Sequence, residues 1–142
     1  MVMAPAAERI LLYDGLCPLC NGAVRFVLRR DRRGAVRFAP LQGETARAIL
    51  GRHPALEGVD ALVLVEVGQG SGMEKVFVRS EAVLRVASAL GLPWRAASAA
   101  RAIPRVLRDA AYDLLARTRH RAFGRNAACP APDAAVAARF LP

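Results

Sequence analysis

The residue pattern predicts a single α/β domain: a mixed four-stranded sheet flanked by helices, with a helical C-terminal extension. Three observations carry this expectation. Four short runs, at residues 10–13, 35–39, 61–67 and 74–78, have the length and the apolar or β-branched content of strands. Between and after them, apolar residues recur at the three- and four-residue spacing of amphipathic helices. The length of 142 residues, 54% of them apolar, amounts to about one domain and suffices for a real core.

Ile10, Leu11, Leu12 and Tyr13 read as a buried strand, broken by the turn chemistry of Asp14-Gly15. Pro18 suits the first turn of a helix, where its missing N–H costs nothing. Cys20, Val24, Val27 and Leu28 then form one apolar face. Arg25, Arg29, Arg30, Arg32 and Arg33 lie mostly elsewhere and complement the C-terminal end of the dipole, with Gly34 as the stop. The strand at 35–39 ends at Pro40, and a short helix at 44–50 ends at Gly51. The strand at 61–67 returns through a glycine-rich loop into 74–78. Ser80 is read as the N-cap of a helix that carries Val83, Leu84, Ala87 and Leu90 and stops at Gly91.

A helix between the first two strands makes them parallel, whereas the last two form a hairpin. That is the thioredoxin-like arrangement, here spanning residues 8–91 within a single domain of 1–142. The extension, 92–142, begins with an alanine-rich helical stretch at 94–102. Pro104 opens a longer helix with Leu107, Ala110, Ala111, Leu114 and Leu115 on one face, and Asp133 caps a last small helix reaching Phe140.

Composition excludes several classes. The apolar share is too high for a disordered chain, and no stretch approaches the roughly 18 unbroken apolar residues of a membrane span. Residues 1–8 have neither a basic cluster nor an apolar core, so no secretory signal and a cytoplasmic location are expected. The net charge is +9, and all but one of the 21 basic residues are arginine. Aromatics, at 6%, are too few for a stacking platform, which disfavours nucleic acid. The run from Arg117 to Arg125 suits a solvated face, an acidic partner or an anionic membrane surface.

Cys17, Cys20 and Cys129 are an odd set, which argues against a disulfide framework. Cys17 and Cys20 form a C-x-x-C directly after the first strand. Three residues of helix turn the chain by about 300°, so both sulfurs fall on nearly the same side. Cys17 sits where main-chain N–H groups lack intrahelical partners, a setting that favours thiolate over thiol. Cys20 lies a turn deeper, on the stripe of Val24 and Val27. The expected chemistry is dithiol–disulfide exchange, with Cys17 attacking and Cys20 resolving, and needs no metal or organic cofactor. Two alternatives stand beside it. One is a non-enzymatic basic binding module on the same fold. The other is a zinc-stabilised interaction domain, in which Cys17, Cys20 and Cys129 join His120 or His53; it lacks a second closely spaced ligand pair.

Asp14 is read mainly as an acceptor of main-chain bonds in its turn, and secondarily as a base for Cys20. Gly15 is expected to supply a backbone angle forbidden to other residues. His53 and His120 are expected at the surface or at helix ends, Cys129 in a loop, and Trp94 as a packing anchor for the extension.

The stretch Tyr13-Asp14-Gly15-Leu16-Cys17-Pro18-Leu19-Cys20-Asn21 resembles the signature of the DCC family, thiol-disulfide oxidoreductase-like proteins of the thioredoxin-like superfamily. The resemblance continues through Val24, Asp31, Phe38 and Leu41, Ser80–Leu84, Gly91–Trp94 and Ile103-Pro104. It ends with Tyr112, Ala116, Arg119, Phe123-Gly124 and Cys129-Pro130. It implies a disulfide oxidoreductase with Asp14, Cys17 and Cys20 as the matching site residues, and supplies no substrate. One departure concerns the position before the third strand, where thioredoxins carry a cis-proline. Here it reads Val59-Asp60-Ala61, and a trans bond is expected.

Overall fold

A computed structural model describes residues 8–31, 34, 36–56, 62–68, 72–90, 94–123 and 137–142. The order is β1 (Glu8–Tyr13), α1 (Pro18–Arg30), β2 (Val36–Pro40), α2 (Glu44–Arg52), β3 (Val63–Val67), β4 (Glu74–Val78), α3 (Arg79–Ala89) and α4 (Arg105–Phe123). Short 3₁₀ segments occupy Pro54–Leu56, Trp94–Ala102 and Ala137–Arg139. The sheet runs β2-β1-β3-β4. β1 and β2 are parallel, and β3 is antiparallel to both β1 and β4. This is the predicted mixed sheet with helices on its faces and a helical extension.

Strand alternation divides the core. Leu11, Tyr13, Val36, Phe38 and Leu64 point to the side covered by α1 and α3, where they meet Val24, Val27 and Ala82. Ile10, Leu12, Ala39, Val63 and Val65 point to the other side and meet Ala46 and Ile49 of α2. In α1 the predicted face is the buried one, with Cys20, Val24 and Val27 inside. The helix ends at Asp31, whose N–H donates to the Val27 carbonyl, and the chain turns through Gly34 at φ +64°.

Several local expectations are corrected. α2 runs through Gly51 to Arg52, with His53 as its C-cap. α3 begins at Arg79 with Val78 as N-cap and no side-chain capping bond. Ser80 does not cap, because its hydroxyl donates to Asp109 Oδ1 on α4 at 2.5 Å. α3 buries Ala82, Leu84 and Val86 and leaves Val83 exposed. The stretch Trp94–Ala102 is 3₁₀. Among the described glycines, positive φ occurs at Gly34 and Gly72, so Gly15 takes an ordinary backbone angle. Trp94 anchors the extension as expected, meeting the edge of Phe26 on α1 at 4.8 Å, with Arg30 over both rings.

The last residues join the sheet. Phe140 bridges Phe38 in parallel, and the Leu141 N–H donates to the Phe38 carbonyl at 2.7 Å. Phe140 packs toward the α1 side, against the rings of Tyr13 and Phe38, and Leu141 packs toward the α2 side. Arg139 donates to the Asp31 carboxylate and the Val36 carbonyl. The Thr45 N–H donates to the Pro142 carbonyl, and a Cβ at Gly43 would stand 2.9 Å from that carbonyl carbon, so the close approach needs glycine there.

Arg32, Arg33, Ala35, residues 59–61, residues 91–93, Gly124, Arg125, Cys129-Pro130 and Asp133 lie outside the described residues, as do the side chains of Arg119, His120 and Phe123.

Candidate active site at the start of α1

Parallel pairing of β1 and β2 puts their C-terminal ends side by side, with Tyr13 opposite Pro40. The turns after the two strands are therefore neighbours. The Leu41 N–H donates to the Tyr13 carbonyl at 2.7 Å. Gln42 then clasps the other turn. Its Nε2 donates to Asp14 Oδ1 at 2.9 Å, and its Oε1 accepts the Gly15 N–H at 3.1 Å. Asp14 is buried, and the same Oδ1 accepts the Leu16 N–H at 3.0 Å. The carboxylate thus ties the turn together.

Cys17 is the N-cap of α1, with the extended backbone (φ −95°, ψ 117°) that such a position needs. Its N–H donates to the Asp14 carbonyl at 3.2 Å. Its carbonyl accepts both the main-chain N–H and the Nδ2 of Asn21, and Nδ2 reaches the Gly15 carbonyl as well. Asn21 therefore ties the first turn of the helix to the turn before it. The Cys17 side chain makes no capping hydrogen bond, so its electrostatic support from the helix is its position at the positive end of the dipole.

Cys17 and Cys20 are not joined by a disulfide, and both lie within one apolar cluster that includes Leu11, Tyr13 and Val24, with Leu19 and Phe140 packed against it. Cys17 is 0% exposed and Cys20 is 6% exposed. A sulfur that attacks a substrate needs a path to solvent, and this arrangement closes it. The deeper placement expected for Cys20 relative to Cys17 is thus not found.

His53 pairs with Glu74 at 2.7 Å, where the Arg52 guanidinium and His53 hold the Glu74 carboxyl below its ordinary range. Among the described residues, no group of three or more His, Cys, Asp or Glu side chains is placed to hold a metal ion.

Sequence reasoning missed Gln42 and the 137–142 segment. Gln42 leaves one signal. It follows the end of a strand parallel to the one before Cys17, so the topology alone brings it to the site. The partner of Asp31 leaves none, since Arg139 lies 108 residues away.

A family model described as DCC1-like thiol-disulfide oxidoreductase matches residues 11–125. The Bacillus subtilis (strain 168) protein YuxK is 37% identical over 136 residues, 95% of each chain. A chloroplastic DCC family protein of Arabidopsis thaliana is 36% identical over 124 residues, covering 84% of this chain and 67% of that one. No solved structure matches. With a C-x-x-C capping the helix after the first strand of a thioredoxin-like sheet, and a family match across most of its length, this chain belongs to the DCC1-like thiol-disulfide oxidoreductase family.

Proposed function

We propose that this protein exchanges a dithiol for a disulfide through Cys17 and Cys20, with Asp14 as a positioning residue. The observation that carries the reading is the place of Cys17. It caps α1 directly after β1, and its partner lies three residues on in the same apolar cluster. Once the cluster that encloses it opens to admit substrate, the Cys17 thiolate attacks one sulfur of a substrate disulfide, forms a mixed disulfide and releases a substrate thiolate. Cys20 loses its proton, attacks the Cys17 sulfur, and releases the second substrate thiol, leaving a Cys17–Cys20 disulfide. A dithiol reductant restores the pair, and the same steps in reverse oxidise a dithiol.

Asp14 and Gln42 fix the turn that presents Cys17. The partner is a protein or a small molecule bearing a thiol or disulfide. The basic run from Arg117 enters the reading as the contact for an acidic partner or an anionic surface, and the location proposed is the cytoplasm.

Trapping tests the roles. Cys20→Ser should accumulate a mixed disulfide with reduced-and-reoxidised insulin, and Cys17→Ser should not. Equal trapping by both removes the assignment. Asp14→Asn should leave thiol reactivity unchanged, because the amide oxygen still accepts in the turn. A marked loss would instead make Asp14 the acceptor of the Cys20 proton.

The burial of Cys17 favours one second reading, a binding module that keeps the fold without exchange. It predicts no insulin reduction, and alkylation of Cys17 only on unfolding.

A further inference from the structure

Helix α4 is docked by its polar side. Asp109 accepts from Ser80 and pairs with Arg105. Arg108 reaches Glu81, Asp113 pairs with Arg79, and the Tyr112 hydroxyl accepts the Leu62 N–H at 2.9 Å. The opposite side faces solvent. Val106 is 80% exposed and Leu114 66%, while Ile103 and Leu107, also open, stand at the rim of an apolar groove against Val83 and Leu84 of α3. This is the reverse of the usual arrangement, in which the apolar stripe faces the core.

The exposed side has a second property. At about 100° per residue, Arg117 and Arg121 lie over the line of Val106, Ala110 and Leu114, continued one and two turns further along. Both are exposed. Of the two acids of the described helix, Asp109 is on the docked side, and Asp113 stands at the edge of the open side, where it pairs with Arg79. The open side of α4 therefore offers apolar side chains, then guanidiniums, and the carboxylate at its edge, Asp113, is already paired with Arg79.

The geometry points to an occupant that is both apolar and anionic: the surface of a bilayer containing acidic lipids. Ile103, Val106, Leu107 and Leu114 enter the acyl boundary, and Arg117 and Arg121 meet the headgroup phosphates. A second copy fits poorly. Across a two-fold axis these arginines would meet apolar residues or each other, and the nearest acid, Asp113, is already paired with Arg79. Among the described residues no helix is long and apolar enough to cross a membrane, so the contact is with the surface. This inference deepens the partner side of the proposed function and does not depend on Cys17 or Cys20.

Co-sedimentation of the full chain with vesicles tests it. Vesicles of equal parts phosphatidylglycerol and phosphatidylcholine should carry the protein down, and pure phosphatidylcholine should not. Leu107→Asp with Leu114→Asp should cut binding at least ten-fold, by opposing burial of the apolar face. Arg117→Gln and Arg121→Gln should each cut it about five-fold. Circular dichroism and cysteine trapping should be unchanged in all of these, which separates failure here from failure of the thiol reading. Binding that ignores the leucine substitutions would mean simple attraction of a basic chain, and would overturn the proposal. So would no sedimentation with anionic vesicles, self-association abolished by Leu114→Asp, or capture by polyglutamate without capture by vesicles.

Discussion

Helix α1 turns Cys20, Val24 and Val27 toward the sheet and leaves Arg25 and Arg29 outside. Helix α4 turns Asp109 and Tyr112 toward the domain and leaves Val106, Leu107 and Leu114 outside. Both carry an amphipathic pattern, and each buries the side that its neighbour can satisfy. α1 lies on the apolar face of a sheet, formed by Leu11, Val36, Phe38 and Leu64, which offers nothing to a charged group. α4 lies over the first turns of α3 and the start of β3, where Ser80, Glu81, Arg79 and the Leu62 N–H await partners. Periodicity identifies a face, but the surface beneath decides which face goes in.

The comparison breaks most sharply with one substitution tried on each helix. Val27→Asp puts a carboxylate among apolar residues without a partner, which costs several kcal/mol and should abolish cooperative folding. Leu114→Asp adds the same charge to the open side of α4 and should shift stability by no more than about 0.5 kcal/mol. Urea unfolding followed by circular dichroism measures both. A large loss in Leu114→Asp would mean that the apolar side of α4 is covered in solution.

A smaller effect is expected from the polar side of α4. Tyr112→Phe removes the acceptor of the Leu62 N–H and should cost about 1 kcal/mol, seen as a lower urea midpoint with unchanged slope. The loss should be confined to the extension and the start of β3. Proton–deuterium exchange should quicken at Leu62 and along α4, while the β1 amides stay protected. Faster exchange in β1 would show that α4 supports the whole sheet and is not simply attached to it.

The same contrast explains what could be read in advance. The strands, their order and the buried face of α1 follow from runs such as Ile10–Tyr13 and from the spacing of Cys20, Val24 and Val27, which are local signals. Ser80 departs from the expectation because a cap and a long-range donor look alike in sequence. Its hydroxyl serves Asp109, 29 residues away. The face shared by Leu107, Ala110 and Leu114 was legible, but its outward direction was not, since that depends on what α3 presents. At the candidate site the cysteines and Asp14 announce themselves by motif. The enclosure of Cys17 does not, because it rests partly on Phe140 packing against the cluster from the far end of the chain. The buried Asp31 is met by Arg139 on the same segment, a contact that no local pattern encodes.

The smallest expected effect separates docking by polar groups from docking by apolar ones through pH. The hydrogen bond from Ser80, and then the charge of Arg105, hold the Asp109 carboxyl below its ordinary value of 3.8. A carboxyl whose folded value is depressed contributes stability that is fully present above the unfolded value. That stability is lost as pH falls through the folded value, where both states are protonated. The docking of α4 should therefore weaken below about pH 3.8, by less than about 1 kcal/mol for a pair near solvent. Titration of the Asp109 carboxyl by NMR should give a midpoint below the ordinary aspartate range, and Ser80→Ala should raise it. If Ser80→Ala leaves that midpoint in place, the hydroxyl contact does not hold α4, and another part of its polar side must do so.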